Sequence, residues 1–260
     1  MKEQIQMKLN DSPFARWAAL LLVASTMFFA YMFVDMLSPL KELLDTTLNW
    51  NSTTFGTYAA SEYFLNVFCF FLIFAGVILD KMGIRFTGLL SASLMVIGAC
   101  IKFYAMSDWF VGTGLESWLN SWWVDLPGSA KLACFGFMIF GCGCEMAGTT
   151  VSKAIAKWFK GKEMAMAMGL EMSIARLGVF AAMWLSPMVS ESFNNSVSAP
   201  VAFGAVLLMI GLIFYFVFVL MDRKLDKQLE AAGELKEEAS EEEFKFSDLE
   251  ETRYYTGDVQ

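Results

Sequence analysis

Histidine is absent from all 260 residues of the chain. Because histidine is the side chain that most readily exchanges a proton near neutral pH, any proton coupling in this protein must use carboxylates. The chain also shows no activated-serine motif and no cluster of metal-ligating residues at usable spacing. We therefore predict a protein that is not an enzyme and that holds no metal or cofactor.

Cysteine is sparse, and all five cysteines fall in apolar stretches: Cys69, Cys100, Cys134, Cys142 and Cys144. Cys142 and Cys144 resemble a metal-ligand pair in spacing, but residues two apart on a helix point about 200° away from each other. The same stretch carries a series of small residues, Gly141, Gly143, Ala147 and Gly148. Small residues let membrane helices approach closely, so we predict a helix-packing surface here.

Charged residues are also scarce, at 18% against 57% hydrophobic, and the mean hydropathy of +0.50 exceeds that of soluble domains. A helix needs about 20 apolar residues to cross a bilayer. Six stretches are long enough, which predicts an all-α membrane protein, a six-transmembrane-helix bundle without a soluble domain. We place the spans at residues 17–39, 53–79, 86–106, 130–152, 164–188 and 199–221.

Lysine and arginine are concentrated in the N-terminal arm, the second and fourth connections, and the segment after the sixth span. Because cytoplasmic loops carry the excess of basic residues, both termini are predicted to be cytoplasmic. The first apolar stretch is too long for the core of a cleavable signal peptide, so we expect it to remain as a helix. The expected domains are an arm (1–16), the bundle (17–221) and a linker or tail (222–260).

The net charge of −8 comes largely from the segment after residue 221. A stretch such as ELKEEASEEEF cannot bury a core, and we predict an acidic, disordered cytoplasmic linker or tail over residues 222–260. An acidic polar segment gives no support for nucleic-acid binding.

Glu145 and Arg176 are two charged side chains that lie deep within neighbouring predicted spans. At 1.5 Å per residue, Glu145 is roughly 12 Å from the cytoplasmic end of helix four and Arg176 roughly 18 Å from the start of helix five. A charge at this depth costs about 2.5–3.5 kcal/mol and needs a partner or a water-filled cavity. Since helices four and five are antiparallel neighbours, we predict that the two side chains pair in a polar cavity and bind substrate. The alternative is a pair that only staples the two helices.

Four further charges fall within the predicted spans. Glu62, near the middle of helix two, is the best of them for a proton or substrate role. Lys102 and Asp35 are near outer helix ends, where the Lys102 ammonium can snorkel to water. Glu171 precedes Arg176 by five positions and so points elsewhere, with a water-facing role as one option.

The connection between helices two and three, GVILDKMGIRF at residues 76–86, has the spacing G-x-x-x-D-[RK]-x-G-x-[RK]. The matching residues are Gly76, Asp80, Lys81, Gly83 and Arg85. Gly83 permits a tight turn, and Asp80, at a helix C-terminus, needs a nearby cation. The stretch resembles the loop signature of the major facilitator superfamily, although Leu79 and Ile84 depart from its pattern. The resemblance implies one half of a major facilitator fold, in which this loop gates the cytoplasmic side.

The run KWFKGKEMAMAMGLEMSIARLG, residues 157–178, is similar to the lysosomal dipeptide uniporter branch of that superfamily and its bacterial relatives. In that branch a helix-four glutamate and a helix-five arginine are understood to contact the dipeptide, which assigns these roles to Glu145 and Arg176. Helix one adds a fainter match in YMFVD, and an uncharged residue is expected at Glu171. The candidate substrate-binding set is Arg176, Glu145, Glu62, Tyr31 and Asp35.

The resemblance implies the N-terminal half of a secondary transporter that moves a dipeptide or similar zwitterion by alternating access. Arg176 would hold the substrate carboxylate, and Glu145 would hold the amino group or orient Arg176. An organic-anion exchanger and a non-transporting structural or regulatory subunit are the alternatives. The expected partners are a small-molecule substrate, the lipid bilayer and a second six-helix half, on the same or a separate chain. The expected compartment is a bacterial inner membrane.

Overall fold

A computed structural model of the chain describes residues 8–232, and its regular elements over that range are all helical. They are α1 (Pro13–Asp35), α2 (Lys41–Leu48), α3 (Ser52–Phe68), α4 (Phe71–Met106), α5 (Gly114–Asn120), α6 (Gly128–Trp158), α7 (Met164–Ser192) and α8 (Ser198–Ala232). Single 3-10 turns, Leu9–Asp11 and Ser38–Leu40, precede α1 and α2. Residues 1–7 and 233–260, including most of the predicted acidic tail, lie outside the described residues.

Five stretches within residues 8–232 are long and apolar enough to cross a membrane, which fits the predicted multi-pass helical protein. They are Pro13–Leu48, Phe71–Met106, Gly128–Trp158, Met164–Ser192 and Ser198–Ala231. The predicted count of six is close but not exact, because the structure divides the predicted second and third spans differently. Helix α3 ends at Phe68, and α4 runs from Phe71 to Met106 across a break in the helical backbone at Gly83.

The predicted second span, residues 53–79, is interrupted near its middle. Phe68 ends α3, Phe70 has a left-handed backbone with φ of 52°, and α4 begins at the next residue. The break falls in the run FCFFLIF, whose aromatic side chains lose rotamer freedom in a helix. Phe68, Phe70 and Ile73 are exposed on the bundle surface, so packing does not hold the helix straight.

Two helices organise the bundle: α6 packs against α3 and α4, and α1 packs against α7 and α8. The structure uses the predicted small-residue surface of α6 for close packing. A Cβ atom at Gly141 would lie 2.1 Å from the carbonyl oxygen of Glu62, and one at Gly143 would lie 2.6 Å from that of Ser91. Only glycine permits these backbones to approach so closely. The contact at Gly141 holds α3, with Glu62, against α6.

One end of the bundle, which we call the basic end, gathers the start of α1, the Gly83 region of α4, the α6–α7 connection and the end of α8. Ion pairs between these segments, such as those from Arg85 and Lys157 to α8, establish the grouping. The sequence predicts that this end is cytoplasmic. Helix α8 continues to Ala232, past residue 221 where the predicted tail begins, and Asp222 and Leu225 are fully buried.

Candidate functional site

Arg176 lies on α7, and its guanidinium carbon is 5.3 Å from the centre of the Tyr31 ring on α1. The two helices approach closely at Gly178, where a Cβ atom would lie 2.3 Å from the carbonyl oxygen of Phe28. Arg176 is exposed and makes no ion pair within residues 8–232. A cation over a ring at an exposed site gains about 0.5–1 kcal/mol, and the contact leaves the guanidinium N–H groups available for a carboxylate.

Glu145, on α6, is half-buried, and the predicted direct pair with Arg176 is not formed. Neither side chain has an ion-pair partner among the described residues, yet both lie within electrostatic range of Tyr31. The ring face offsets the charge of the guanidinium without a carboxylate. The geometry therefore disfavours the alternative in which the two charges only staple α6 to α7. We call Tyr31, Glu145 and Arg176 the Tyr31 group.

Glu171 is buried, at 8% exposure, in a row on α7 that is otherwise made of small residues: Ala167, Ala175, Gly178, Ala182, Ser186 and Ser190. This burial does not fit the water-facing role that the sequence analysis gave as one option for Glu171. Glu171 also lies within electrostatic range of Tyr31. The region around this phenol therefore holds two acids and one guanidinium.

Lys102 is fully buried, so the prediction that it snorkels to the outer surface is wrong. Its ammonium nitrogen lies 4.2 Å from the centre of the Phe33 ring, 4.5 Å from that of Phe137 and 5.1 Å from that of Tyr58. These rings belong to α1, α6 and α3, and the ammonium has no hydrogen-bond acceptor within residues 8–232. Desolvated cation–π contacts are worth about 2 kcal/mol or more, which offsets part of the cost of burial. Because helical side chains lean towards the helix N-terminus, Lys102 points into the bundle rather than out of it.

Glu62 and Asp35 are the acids within electrostatic range of this lysine. Glu62 is 3% exposed, follows Tyr58 by one turn of α3, and is within electrostatic range of Lys102, Asp35 and Glu145. Asp35 ends α1 and accepts a hydrogen bond of 3.3 Å from the Ser38 hydroxyl. The candidate residues thus form two sets, the Tyr31 group and a Lys102 cluster of Lys102, Phe33, Tyr58, Phe137, Glu62 and Asp35.

Gly83 interrupts α4 with φ of 74° and ψ of 171°, a conformation that is essentially restricted to glycine. A Cβ atom there would meet nothing within 4 Å, so backbone shape, not space, demands the glycine. Asp80 is 75% exposed, and its carboxylate lies 3.1 Å from the Lys153 ammonium on α6, which supplies a nearby cation. In the same signature stretch, Gly76 lies in the helical part of α4 with open space around it, and Lys81 is exposed.

Arg85, the last residue of the loop signature, binds two acids of α8. Its side chain lies 3.5 Å from Asp222 and also pairs with Asp226, and Lys157 of α6 pairs with the same two carboxylates. The indole N–H of Trp158 donates to Asp222 at 3.0 Å. The sequence analysis placed Asp222 and Asp226 in the predicted tail, residues 222–260. Their i, i+4 spacing opposite a basic connection was the signal that could have placed them on a helix.

The WFKGKE segment fastens the N-terminal arm to the bundle. Gly161 has φ of 70°, which favours glycine, and the next two side chains reach back to the arm. Lys162 donates to Asp11 at 2.6 Å, and Glu163 lies 3.2 Å from the buried Arg16. The hydrogen bond from Lys162 holds the pKa of Asp11 below its ordinary value.

The family model of the Major Facilitator Superfamily matches residues 23–253. The chain belongs to this superfamily. The members of this superfamily are transporters, and the long apolar helices of residues 8–232 fit a multi-pass membrane protein.

Superfamily relatives with curated names agree with the predicted branch. The lysosomal dipeptide transporter MFSD1 of Homo sapiens is 25% identical over 224 residues, which cover 82% of this chain and 43% of that protein. MFSD1 of Danio rerio is 26% identical over 210 residues, which cover 78% and 41%. The chain therefore spans less than half the length of these relatives. No solved structure gives a significant match.

Proposed function

We propose that the chain is the N-terminal half of a secondary transporter that moves a dipeptide or similar small zwitterion by alternating access. The observation that carries this proposal is the Tyr31 group. Arg176 is exposed and lies over the Tyr31 ring, while Glu145 is within electrostatic range of the same phenol and forms no ion pair with the arginine. One site thus presents a cation and an anion that are both unpaired within residues 8–232.

A zwitterion is complementary to this arrangement. Its carboxylate would take the planar fork of Arg176, which favours bidentate recognition, and its ammonium would take Glu145. Such a ligand neutralises both charges at once and brings no net charge into a low-dielectric site. An organic anion would satisfy Arg176 but would be repelled by Glu145, which makes the anion exchanger the less favoured reading. The non-transporting subunit would act through the acidic tail and would need neither residue.

The remaining parts of the transporter follow from the superfamily fold. The second six-helix half would complete the cavity wall at the exposed Arg176, and the halves would rock about the substrate. The loop from Gly76 to Arg85 would serve as the inner gate, with the Asp80–Lys153 pair as a contact that can open. Glu62 and Asp35 would act from the Lys102 cluster rather than by direct contact with Arg176.

The compartment is part of the proposal. We infer a bacterial inner membrane with the basic end in the cytoplasm, whereas the printed names of the relatives place those proteins in the lysosome. Membrane fractionation of the native host, with protease accessibility of the basic end, would test both statements. Protection of the basic end in inside-out vesicles would contradict the orientation.

Dipeptide uptake by the chain joined to its second half tests the substrate site. We expect Arg176→Ala to abolish uptake at unchanged membrane abundance, because no other guanidinium contacts Tyr31 within residues 8–232. Arg223→Ala, which removes an exposed arginine at the basic end, is the matched control and should retain uptake. Unchanged uptake by Arg176→Ala would refute the site.

Substrate class is tested with Glu145→Gln. For a zwitterion carrier, this change should weaken dipeptide uptake and spare or improve that of a monocarboxylate, because only the ammonium partner is lost. Equal effects on both substrates would contradict the role of Glu145. Uptake of monocarboxylate but never of dipeptide by the unmodified protein would favour the anion exchanger.

A further inference from the structure

The connection between α4 and α6, residues 107–127, carries a group of exposed indole rings. Four tryptophans of this connection have exposed fractions from 44% to 95%: Trp109, Trp118, Trp122 and Trp123. Exposed apolar surface of this kind, rimmed by polar residues, marks a site of contact with a protein or a membrane. We call these four residues the indole patch. Neither the substrate site nor the gating loop proposed above uses it.

The indole patch is presented by a folded segment that packs on α6 through its other side. Helix α5 contacts α6. Leu119 of α5 is 6% exposed, and its carbonyl oxygen accepts a hydrogen bond of 2.7 Å from the Lys131 ammonium of α6. Trp118 and Trp122 meet edge to face, with their ring centres 4.8 Å apart. The segment therefore holds these two indoles in a fixed arrangement on the surface of the bundle.

The position of the connection along the bundle places it at a membrane surface. The connection begins where α4 ends at Met106, about 35 Å along the helix from Gly83 at the basic end. Because the hydrocarbon core of a bilayer is about 30 Å thick, a chain that leaves the helix at this point is at the level of the headgroups. Tryptophan is enriched at this level, since its ring is apolar and its N–H can reach a polar partner.

The indole patch is continuous with the apolar outer surface of the helices that it joins. The Trp109 ring lies edge to face with the Phe103 ring of α4, with 6.1 Å between the ring centres. Further along the two helices, Ile97 of α4 and Phe135 of α6 are exposed. Exposed apolar side chains on helices that cross a membrane are complementary to lipid tails. The indole patch thus extends a surface that lipid covers.

The charges of the connection indicate which lipid surface it fits. Residues 107–127 contain three acids, Asp108, Glu116 and Asp125, and no lysine or arginine. The Glu116 carboxylate accepts a hydrogen bond of 2.6 Å from the backbone N–H of Gly112, whereas Asp108 and Asp125 are exposed. Anionic lipids attract basic segments and repel acidic ones. A zwitterionic headgroup layer, which has no net charge, is the better match.

We propose that the indole patch lies in the zwitterionic headgroup layer of the membrane leaflet opposite the basic end. The ring faces contact the upper part of the lipid tails, and the indole N–H groups face the headgroups and water. The patch holds the ends of α4 and α6 at a fixed depth in the bilayer. This inference goes beyond the proposed function and does not depend on the substrate.

Tryptophan emission from the 260-residue chain in phosphatidylcholine vesicles tests the proposal. The emission of wild type minus that of a variant with Trp109→Phe, Trp118→Phe, Trp122→Phe and Trp123→Phe reports on the indole patch alone. We expect this difference signal to lose intensity with lipids that are brominated near the headgroups, and to lose less with lipids brominated near the chain ends. Aqueous iodide should have little effect on it.

Trp50→Phe supplies the matched control, because Trp50 is fully buried at the same end of the bundle, where its indole N–H donates to the Ser129 hydroxyl at 3.0 Å. Its difference signal should be quenched less by the brominated lipids than that of the indole patch. Quenching of the patch by iodide and not by brominated lipid would overturn the proposal and indicate a surface for a soluble partner. Lipid quenching that disappears as the protein-to-lipid ratio rises would assign the patch to a second copy of the chain and would also overturn it. The comparison of the two quenchers decides the matter even if Trp50→Phe does not accumulate.

The choice of headgroup has its own test, in which anionic phosphatidylglycerol replaces part of the phosphatidylcholine. We expect quenching by bromines near the headgroups to decrease as the anionic fraction rises, because the exposed acids are repelled. The variant with Asp108→Asn and Asp125→Asn together should show a smaller decrease. Quenching in wild type that does not decrease would overturn the assignment to a zwitterionic surface.

Discussion

At the scale of single residues, two cations within the helices are stabilised by aromatic rings. Arg176 lies over Tyr31, and Lys102 lies among Phe33, Tyr58 and Phe137. A ring offsets a positive charge without using a carboxylate. Within residues 8–232, Glu145 and Glu62 therefore form no ion pair with these two cations, and the proposed role of Glu145 in binding a substrate ammonium needs an unpaired carboxylate.

Gly83 permits a prediction about backbone strain. A conformation with φ of 74° and ψ of 171° costs a residue with a Cβ atom about 1–3 kcal/mol, although space for the methyl group exists. Gly83→Ala should lower the free energy of unfolding by this amount. Gly76→Ala is the matched control, because Gly76 lies within the helix with equally open space and gains helix propensity of about 1 kcal/mol. Denaturant titration of both variants in detergent measures the difference, and equal stability would contradict the strain at Gly83.

At the scale of helices, the acids of α8 hold the basic end together. Asp222 has 0% exposed side-chain area and meets Lys157 at 2.9 Å and Arg85 at 3.5 Å. We expect Asp222→Asn to destabilise the chain by about 2 kcal/mol, below the 3–5 kcal/mol of a fully buried pair, because both cations are partly hydrated. Asp80→Asn breaks a pair whose acid is 75% exposed and should cost less than about 1 kcal/mol. Unfolding titrations measure the free energy of unfolding of both variants. A larger loss of stability for Asp80→Asn would contradict the view that Asp222 holds the basic end together.

The pair of Asp11 and Lys162 predicts a pH dependence at the same end. Lys162 lowers the folded-state pKa of Asp11 below the ordinary value of 3.8, so the pair stabilises the fold above that pH. The stabilisation is lost as the pH falls through the folded-state pKa. The thermal stability of wild type should exceed that of Lys162→Met by a constant amount near neutral pH, and the difference should shrink below about pH 4. Lys41→Met, an exposed lysine variant on α2, should show no such convergence. A stability difference between wild type and Lys162→Met that grows on acidification would contradict the predicted direction of the pH dependence.

The helices also show which features were readable from the sequence. The spans predicted at 130–152, 164–188 and 199–221 each fall inside one helix, because long apolar stretches specify membrane helices directly. The break at Phe70 was not readable, since the hydropathy of FCFFLIF is continuous across it. Depth along a helix identified Glu145 and Arg176, but it did not indicate that Arg176 contacts Tyr31 or that Lys102 points inward. Those facts depend on which neighbouring helix each side chain faces.

At the scale of the whole molecule, α7 has one covered and one open side. Its small residues pack on α1, whereas Met172, Leu177, Phe180 and Trp184 are exposed. Arg176 belongs to the exposed side, where a lipid-facing guanidinium would be costly. In superfamily transporters the substrate lies between two six-helix halves, and this chain spans less than half of the relatives that it matches. The open side of α7 near Arg176 is therefore the surface at which we expect the second half.

This arrangement predicts that the 260-residue chain alone does not transport. In proteoliposomes, dipeptide counterflow should be at background level for the chain by itself and should appear when the second half is supplied, because Arg176 then lines a closed water-filled cavity. Phe180→Arg, which places a charge on the open side of α7, should reduce co-purification of the two halves. Phe135→Arg is the matched control on exposed α6 surface and should leave co-purification intact. Counterflow by the chain alone at the level of the joined halves would show that the cavity is complete without a partner.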